Sequence, residues 1–186
     1  PEANAGTAKG KPADLSYECV LDAKAFERWL DAIRAAPLVA FDTETTSLDP
    51  MAAEIVGLSF AIAPGRACYV PIRHGDTGDM LSGPAPVQID PDRAFALLRP
   101  LLQDATVLKV FQNAKYDLMV FLRAGLEMPA PLDDSMLISF AMEAGQHGHG
   151  MDELSGLHLG HTPISYDSVT GTGKGRLSFA QVPLDR

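Results

Sequence analysis

Short continuous apolar runs alternate along this chain with stretches whose apolar positions recur at helical spacing. Leu15 to Val20 predicts a short strand. Phe26, Trp29, Leu30 and Ile33 share the inner side of a predicted helix over 23–36, with Asp22 as its cap. Leu38 to Thr43 predicts a buried strand, and the turn Ser47-Leu48-Asp49-Pro50 follows. Strands near 54–62 and 67–71 form a predicted hairpin joined at Pro64-Gly65. Residues 73–89 are rich in Gly, Pro and Asp and predict a long loop. Asp90-Pro91 sets a cap before a proline at the first helical position. That helix runs to about Leu102 and buries Phe95, Leu98, Leu101 and Leu102. Strand 106–111 and helix 115–124 come next, then helices near 134–144 and 152–159. The tail 162–178 is Gly-rich and irregular, and Ser178-Phe179-Ala180 reads as the beginning of another helix. The order β-α-β-β-β-α-β-α-α predicts an α/β fold, a mixed sheet flanked by helices.

Residues 1–14 are small and polar and lack an apolar period, so they predict a flexible linker. The remainder is long enough for one domain with a real core. Apolar content of 46% and charged content of 21% are ordinary for a soluble globular chain. No stretch approaches the length of a membrane span, and the N-terminus has no signal-peptide pattern. Cys19 and Cys68 are too few for a disulfide framework; both are expected as buried apolar residues in a reducing cytoplasm. His147, His149, His158 and His161 cluster without cysteine partners or a recognised zinc spacing, which predicts loop and surface histidines.

The net charge of −9 argues against a general nucleic-acid coat. It leaves room for a site built from carboxylates that takes its positive charge from metal ions. Arg73, Lys115, Arg123, Lys174 and Arg176 are the local cations available to a nucleic-acid backbone.

Two elements carry chemistry. Asp42 and Glu44 stand at the end of the run Leu38-Val39-Ala40-Phe41. Side chains alternate faces along a strand, so this pair points the same way. Two acidic groups side by side at a buried strand end repel, and a divalent cation is the usual offset. A strand end running into a polar turn, with both groups solvated, is the competing reading. Asn113 and Asp117 follow the run Val107-Leu108-Lys109-Val110-Phe111 and lie four residues apart at a helix start, facing one side. A helix cap and a favourable acidic first turn would explain them equally. A D-x-E at a strand end with N-x-x-x-D opening a helix about 70 residues later is far more specific than either alone.

At these residues the chain resembles the 3′–5′ exonuclease (proofreading) domain of bacterial DNA polymerase I, one of the DEDD or DnaQ-like exonucleases. Phe41-Asp42-Thr43-Glu44-Thr45 is similar to their first motif and Gln112-Asn113-Ala114-Lys115-Tyr116-Asp117 to their second. The likeness extends to Ile55-Val56-Gly57-Leu58-Ser59-Phe60-Ala61-Ile62, Asp134-Ser135-Met136-Leu137, Met151-Asp152-Glu153-Leu154 and Gly173-Lys174-Gly175, roughly residues 15 to 186.

The resemblance implies a ribonuclease H-like fold with the first strand central and the site at its edge. It implies hydrolysis at the 3′ end of single-stranded DNA by two divalent cations, Mg2+ or Mn2+, about 4 Å apart. Asp42 would bridge them, Glu44 would hold the ion that activates water, and Asp117 would support the second. Thr43, Gln112 and Asn113 would contact the terminal nucleotide or its phosphate, and Tyr116 would pack or position. Leu48 would wedge between the last two bases and Tyr166 would stack on the terminal one; an ordinary core Leu and a half-buried Tyr are the alternatives. The partners implied are a 5′-nuclease domain tethered through 1–14 and a polymerase domain, in a bacterial, nucleoid-associated cytoplasmic protein. The family's fourth carboxylate sits in a Tyr-x-x-x-Asp motif, expected shortly past Arg186, so the domain 15–186 reads as truncated before its last catalytic helix. His147 and Asp152 fit the His-x-x-x-x-Asp form of a sister branch, but their Met-Asp-Glu-Leu context matches another element. A catalytically silent structural domain and a ribonuclease D-like RNA exonuclease are the rival functions.

Overall fold

The computed structural model describes residues 15–75 and 86–184. The predicted linker and most of the predicted long loop lie outside the described residues. Six strands form one mixed sheet in the order β1-β4-β3-β2-β5-β6. They are β1 (Ser16–Cys19), β2 (Leu38–Thr45), β3 (Ile55–Ala63), β4 (Arg66–Pro71), β5 (Leu108–Phe111) and β6 (Leu132–Asp134). The helices are α1 (Ala23–Arg34), α2 (Pro91–Leu102), α3 (Ala114–Arg123), α4 (Ser135–Glu143), α5 (Met151–Leu154) and α6 (Tyr166–Thr170). This is the α/β architecture that the apolar pattern predicts.

Strand β2 is internal. It pairs antiparallel with β3 and parallel with β5. Alternation then sorts its side chains. Val39, Phe41 and Thr43 are buried, whereas Ala40, Asp42 and Glu44 point to the other face. On the buried face Phe41 packs against Phe60, Phe111 and Phe121, with centroids 4.3, 5.3 and 5.4 Å apart. The apolar sides of α1, α2 and α3 close this face, with Phe26, Ile33, Leu98, Leu101 and Val120 fully covered. Asp22 accepts from the Ala25 N–H at 2.9 Å and Asp90 from that of Arg93 at 3.1 Å, so both predicted caps form.

The opposite face is small and open. Register aligns Ala40, Ala61, Ala67 and Tyr17 in one row and Asp42, Ser59, Tyr69 and Cys19 in the next. Together with Val110 and Met151 they line a trough of about 820 Å³.

Several expectations are corrected. The first strand is not central: β1 is an edge strand, and β2 takes the interior place. Cys19 is exposed, because its row faces the open trough; only Cys68 is buried. Strand β6 was not predicted, since Leu132-Asp133-Asp134 has no apolar run and extends only by pairing with Lys109, Val110 and Phe111. The helix expected over 152–159 makes one α turn and then widens into a π turn, Ser155–Leu159. The tail is not wholly irregular, for it contains α6 and a 3-10 turn, Gly173–Gly175. The helix expected from 178 is one 3-10 turn, Phe179–Gln181. A capping box between Ser178 and Gln181 starts it, and extended Val182 followed by Pro183 ends it.

A carboxylate-lined candidate active site

At the end of β2 the chain leaves the sheet between the open face and α3. Thr43 points to the covered side, and its hydroxyl donates to Asp117 Oδ1 at 2.7 Å. Asp117 is 2% exposed, in the first turn of α3. That turn is held from β6. The backbone N–H groups of Asn113 and Ala114 donate to the two carboxylate oxygens of Asp134 at 3.1 and 2.8 Å. Asp134 also caps α4 through the N–H groups of Met136 and Leu137. One buried carboxylate thus satisfies two helix starts. Asn113 does not cap α3 with its own side chain. It sits in the left-handed region, φ 65°, which turns the chain from β5 into the helix and leaves the side chain exposed.

The turn after β2 is tied to the same helix. The Tyr116 hydroxyl donates to the Ser47 carbonyl at 2.5 Å, and the Thr45 hydroxyl lies 2.5 Å from that of Tyr116. This fixes the turn that presents Leu48, which is 96% exposed. The ordinary-core reading of Leu48 is thereby excluded. Tyr166 is 48% exposed, stacks on Phe179 at 6.0 Å and receives the Arg176 guanidinium at 5.0 Å from its ring centroid. Gln112 is engaged at both ends of its amide: it donates to the His149 carbonyl at 2.7 Å and accepts from the Ser135 hydroxyl at 2.6 Å.

All nine residues singled out in the sequence line one cavity of about 450 Å³: Asp42, Thr43, Glu44, Leu48, Gln112, Asn113, Tyr116, Asp117 and Tyr166. Asp152 does not line it, and neither do Arg73, Lys115, Arg123, Lys174 or Arg176. Among the described residues the lining holds three carboxylates and no Lys, Arg or His.

The electrostatics follow. Burial pushes Glu44 up to about 7, and the Asp42 charge adds to it. Burial likewise pushes Asp117 up to about 7 against the Thr43 hydrogen bond, with Asp42 again adding. Asp42 itself is raised by burial, partly offset by the Thr43 backbone. Asp42 is therefore the centre of the cluster. The three carboxylates do not all converge within 4.8 Å, so one ion cannot be gripped by all of them at once in this geometry.

A cluster of residues behind Phe179, which itself lines the cavity, escaped the sequence reading. Tyr69 leans across Gly57, where an added Cβ would lie 2.0 Å from its hydroxyl oxygen. Gly57 is the register partner of Glu44, so the ring stands beside that carboxylate. The Tyr69 hydroxyl is 2.6 Å from His74 Nε2, and His74 Nδ1 is 3.0 Å from the Val182 carbonyl. Phe179 packs edge-on against both rings. A Gly two residues after the start of an apolar run was the one sequence signal of this packing.

A family model described as 3′-5′ exonuclease matches residues 17–185. The DNA polymerase I of Rhizobium leguminosarum is 48% identical over 94% of this chain and 18% of its own length. The chain belongs to the 3′-5′ exonuclease domain family of DNA polymerase I. The DNA polymerase I of Pseudomonas aeruginosa is 39% identical over 94% of the chain and 19% of its own length. The chain thus spans under a fifth of the length of these curated relatives. Among solved structures, Escherichia coli RNase D, an exoribonuclease involved in structured RNA processing, superposes with a TM-score of 0.60 at 21% identity, over 83% of this chain and 36% of its own. Brucella melitensis NrnC with bound Mg2+ superposes at 0.57 and 21% identity, over 87% and 69%. At that identity these two show the fold, a ribonuclease H-like α/β sheet, and nothing finer.

Proposed function

We propose that this exonuclease domain removes nucleotides from the 3′ end of single-stranded DNA, as the proofreading part of a DNA polymerase I. The observation that carries the reading is a cavity with three partly or wholly buried carboxylates and no basic side chain among its described lining. Carboxyl groups held near 7 by burial and by one another need positive charge to ionise together. Their hard oxygen donors suit Mg2+ or Mn2+. Asp42 and Glu44 would hold one ion and Asp42 and Asp117 the other, Asp117 in part through water. When bound, such a pair supplies an activated water and stabilises the leaving 3′-oxygen.

The protein's own residues do the rest. Thr43 aims Asp117 into the cavity. Tyr116 and Thr45 hold the turn that presents Leu48 as a wedge against the last bases. Tyr166, backed by Phe179, offers a stacking face for any terminal base, which suits proofreading. Asn113 contributes its exposed amide to the nucleotide, while Gln112 sets the loop at His149.

The resemblance supplies a fourth carboxylate from a Tyr-x-x-x-Asp helix, whereas three line the described cavity. The 186-residue chain is therefore expected to have little activity by itself. A silent domain is the second reading for the isolated chain, because three carboxylates and not four line the described cavity. The test is mononucleotide release from labelled DNA and RNA oligonucleotides, by this chain and by a longer version carrying such a helix. The proposal expects Mg2+- or Mn2+-dependent release from DNA by the longer version, abolished by Asp42→Ala. Preference for RNA would return the ribonuclease D-like reading, and no release by either form would establish the silent one.

A further inference from the structure

Past α4 the chain gathers a second set of ligand atoms, none of which lines the carboxylate cavity. Glu143 closes α4, His147 lies one turn on in the following loop, and His158 comes from the π turn. His147 Nε2 is 2.8 Å from Glu143 Oε2, and His158 Nε2 is 3.6 Å from the same oxygen. One donor atom from each of the three lies within 4.8 Å of the other two.

The hydrogen-bond inventory around His147 points to a cation. Its Nδ1 is 2.5 Å from the Gly148 carbonyl, so both ring nitrogens face acceptors. A neutral imidazole has one N–H, so one of its nitrogens would aim a lone pair at an acceptor, the Glu143 carboxylate or the Gly148 carbonyl according to the tautomer. A second proton on the His147 ring, or a metal ion between Nε2 and the carboxylate, removes the mismatch. A proton serves His147 alone, because 3.6 Å is too long for a hydrogen bond from His158. A metal ion serves all three. Ligands of a tetrahedral zinc with bonds near 2.0 Å stand about 3.3 Å apart, a spacing that the observed 2.8 and 3.6 Å bracket. The Nδ1–H to Gly148 carbonyl contact is the outer partner that metal-bound histidines usually have. The π turn is a further sign. Such turns are rare and collect at functional sites, and this one carries His158 to the carboxylate.

We propose that Glu143, His147 and His158 bind one divalent transition-metal ion of the zinc class, with water in a fourth position. Two imidazoles favour such an ion over Mg2+. The site would pin the 144–150 loop between α4 and the π turn. That loop carries the His149 carbonyl to which Gln112 donates, so the ion would steady one wall of the nuclease cavity from outside it.

The test uses the 186-residue chain stripped with a chelator and titrated with Co2+. Four-coordinate cobalt absorbs in the visible, and its absorption reports this site independently of nuclease activity. The expected result is absorption that saturates at one Co2+ per chain, is bleached by Zn2+ and resists excess Mg2+. It should be lost in His147→Ala and in His158→Gln and persist in Asp42→Asn and Asp117→Asn. Zn2+ should raise the Tm of the parent chain but not of His158→Gln. His158 is exposed, so that variant decides the matter even if His147→Ala folds poorly. The proposal falls if the parent chain shows no such absorption, if it survives both histidine changes, or if it disappears with the carboxylate variants.

Discussion

The Thr43 hydroxyl and the Asp117 carboxylate, 74 residues apart in sequence, meet in a buried hydrogen bond of 2.7 Å. This contact ties the end of β2 to the first turn of α3. It also places Asp117 beside Asp42 while their mutual repulsion works against it. Replacing Thr43 with Val keeps the volume and removes the donor. A buried acceptor left without its partner costs about 1–3 kcal/mol. Thr43→Val should lower stability by that order in denaturant unfolding. It should also raise the Asp117 pKa further, visible as a shift of its carboxyl resonance in an NMR titration.

The cluster also sets the pH dependence of the metal-free domain. Glu44 and Asp117 titrate near 7 in the folded chain and near ordinary carboxylate values when unfolded. Folded pKa values are thus raised, so the unfolded chain releases these protons first. Their contribution favours folding below about pH 4 and is lost as pH rises through about 7. Thermal melts in chelator should show the Asp117→Asn variant gaining on the parent chain between pH 5 and pH 8. Asn keeps an acceptor for Thr43 and removes the charge. Mg2+ or Mn2+ should raise the Tm of the parent chain most at the upper end of this range. A difference between variant and parent that stays flat with pH would contradict the assignment.

The shared direction of Asp42 and Glu44 was legible from the two-residue period, and so were the caps at Asp22 and Asp90. What escaped depends on pairing between distant strands. Asp134 becomes a double cap only because β6 pairs with β5, and nothing local in Leu132-Asp133-Asp134 announces a strand. Cys19 looked buried because an apolar run does not say which face of the sheet is left uncovered. The register of β3 on β4 brings the Tyr69 ring over Gly57, and distant Gln88 and Val182 hold His74 against its hydroxyl. Strands, helices and the acidic pair are local properties, whereas the cluster behind Phe179 is a product of topology.

That cluster makes a third prediction. An alanine at 57 would place its Cβ 2.0 Å from the Tyr69 hydroxyl oxygen and force the ring away. The displaced hydroxyl would leave His74, whose burial already holds its pKa below the usual histidine value. Gly57→Ala should therefore destabilise by about 1–3 kcal/mol, the usual effect of overpacking. Tyr69→Phe removes the hydroxyl alone and should cost less, on the order of 1 kcal/mol. Equal stability of Gly57→Ala and the parent chain in urea unfolding would show that the ring does not need this place.

Leu48 and Tyr166 separate function from stability. Leu48 is 96% exposed, so its truncation removes almost no buried surface, and Leu48→Ala should leave the Tm unchanged. Tyr166 is half-buried against Phe179 and Arg176, so Tyr166→Ala should lower the Tm modestly. In a longer, active version both changes should weaken use of a single-stranded 3′ end by about 1–3 kcal/mol, the worth of one base stack. The loss should appear for every terminal base, because a wedge and a stacking face read no hydrogen-bonding edge. Steady-state cleavage of oligonucleotides differing only in the 3′ base measures this. A Leu48→Ala enzyme with parental kcat/KM on all four would remove the wedge from the mechanism.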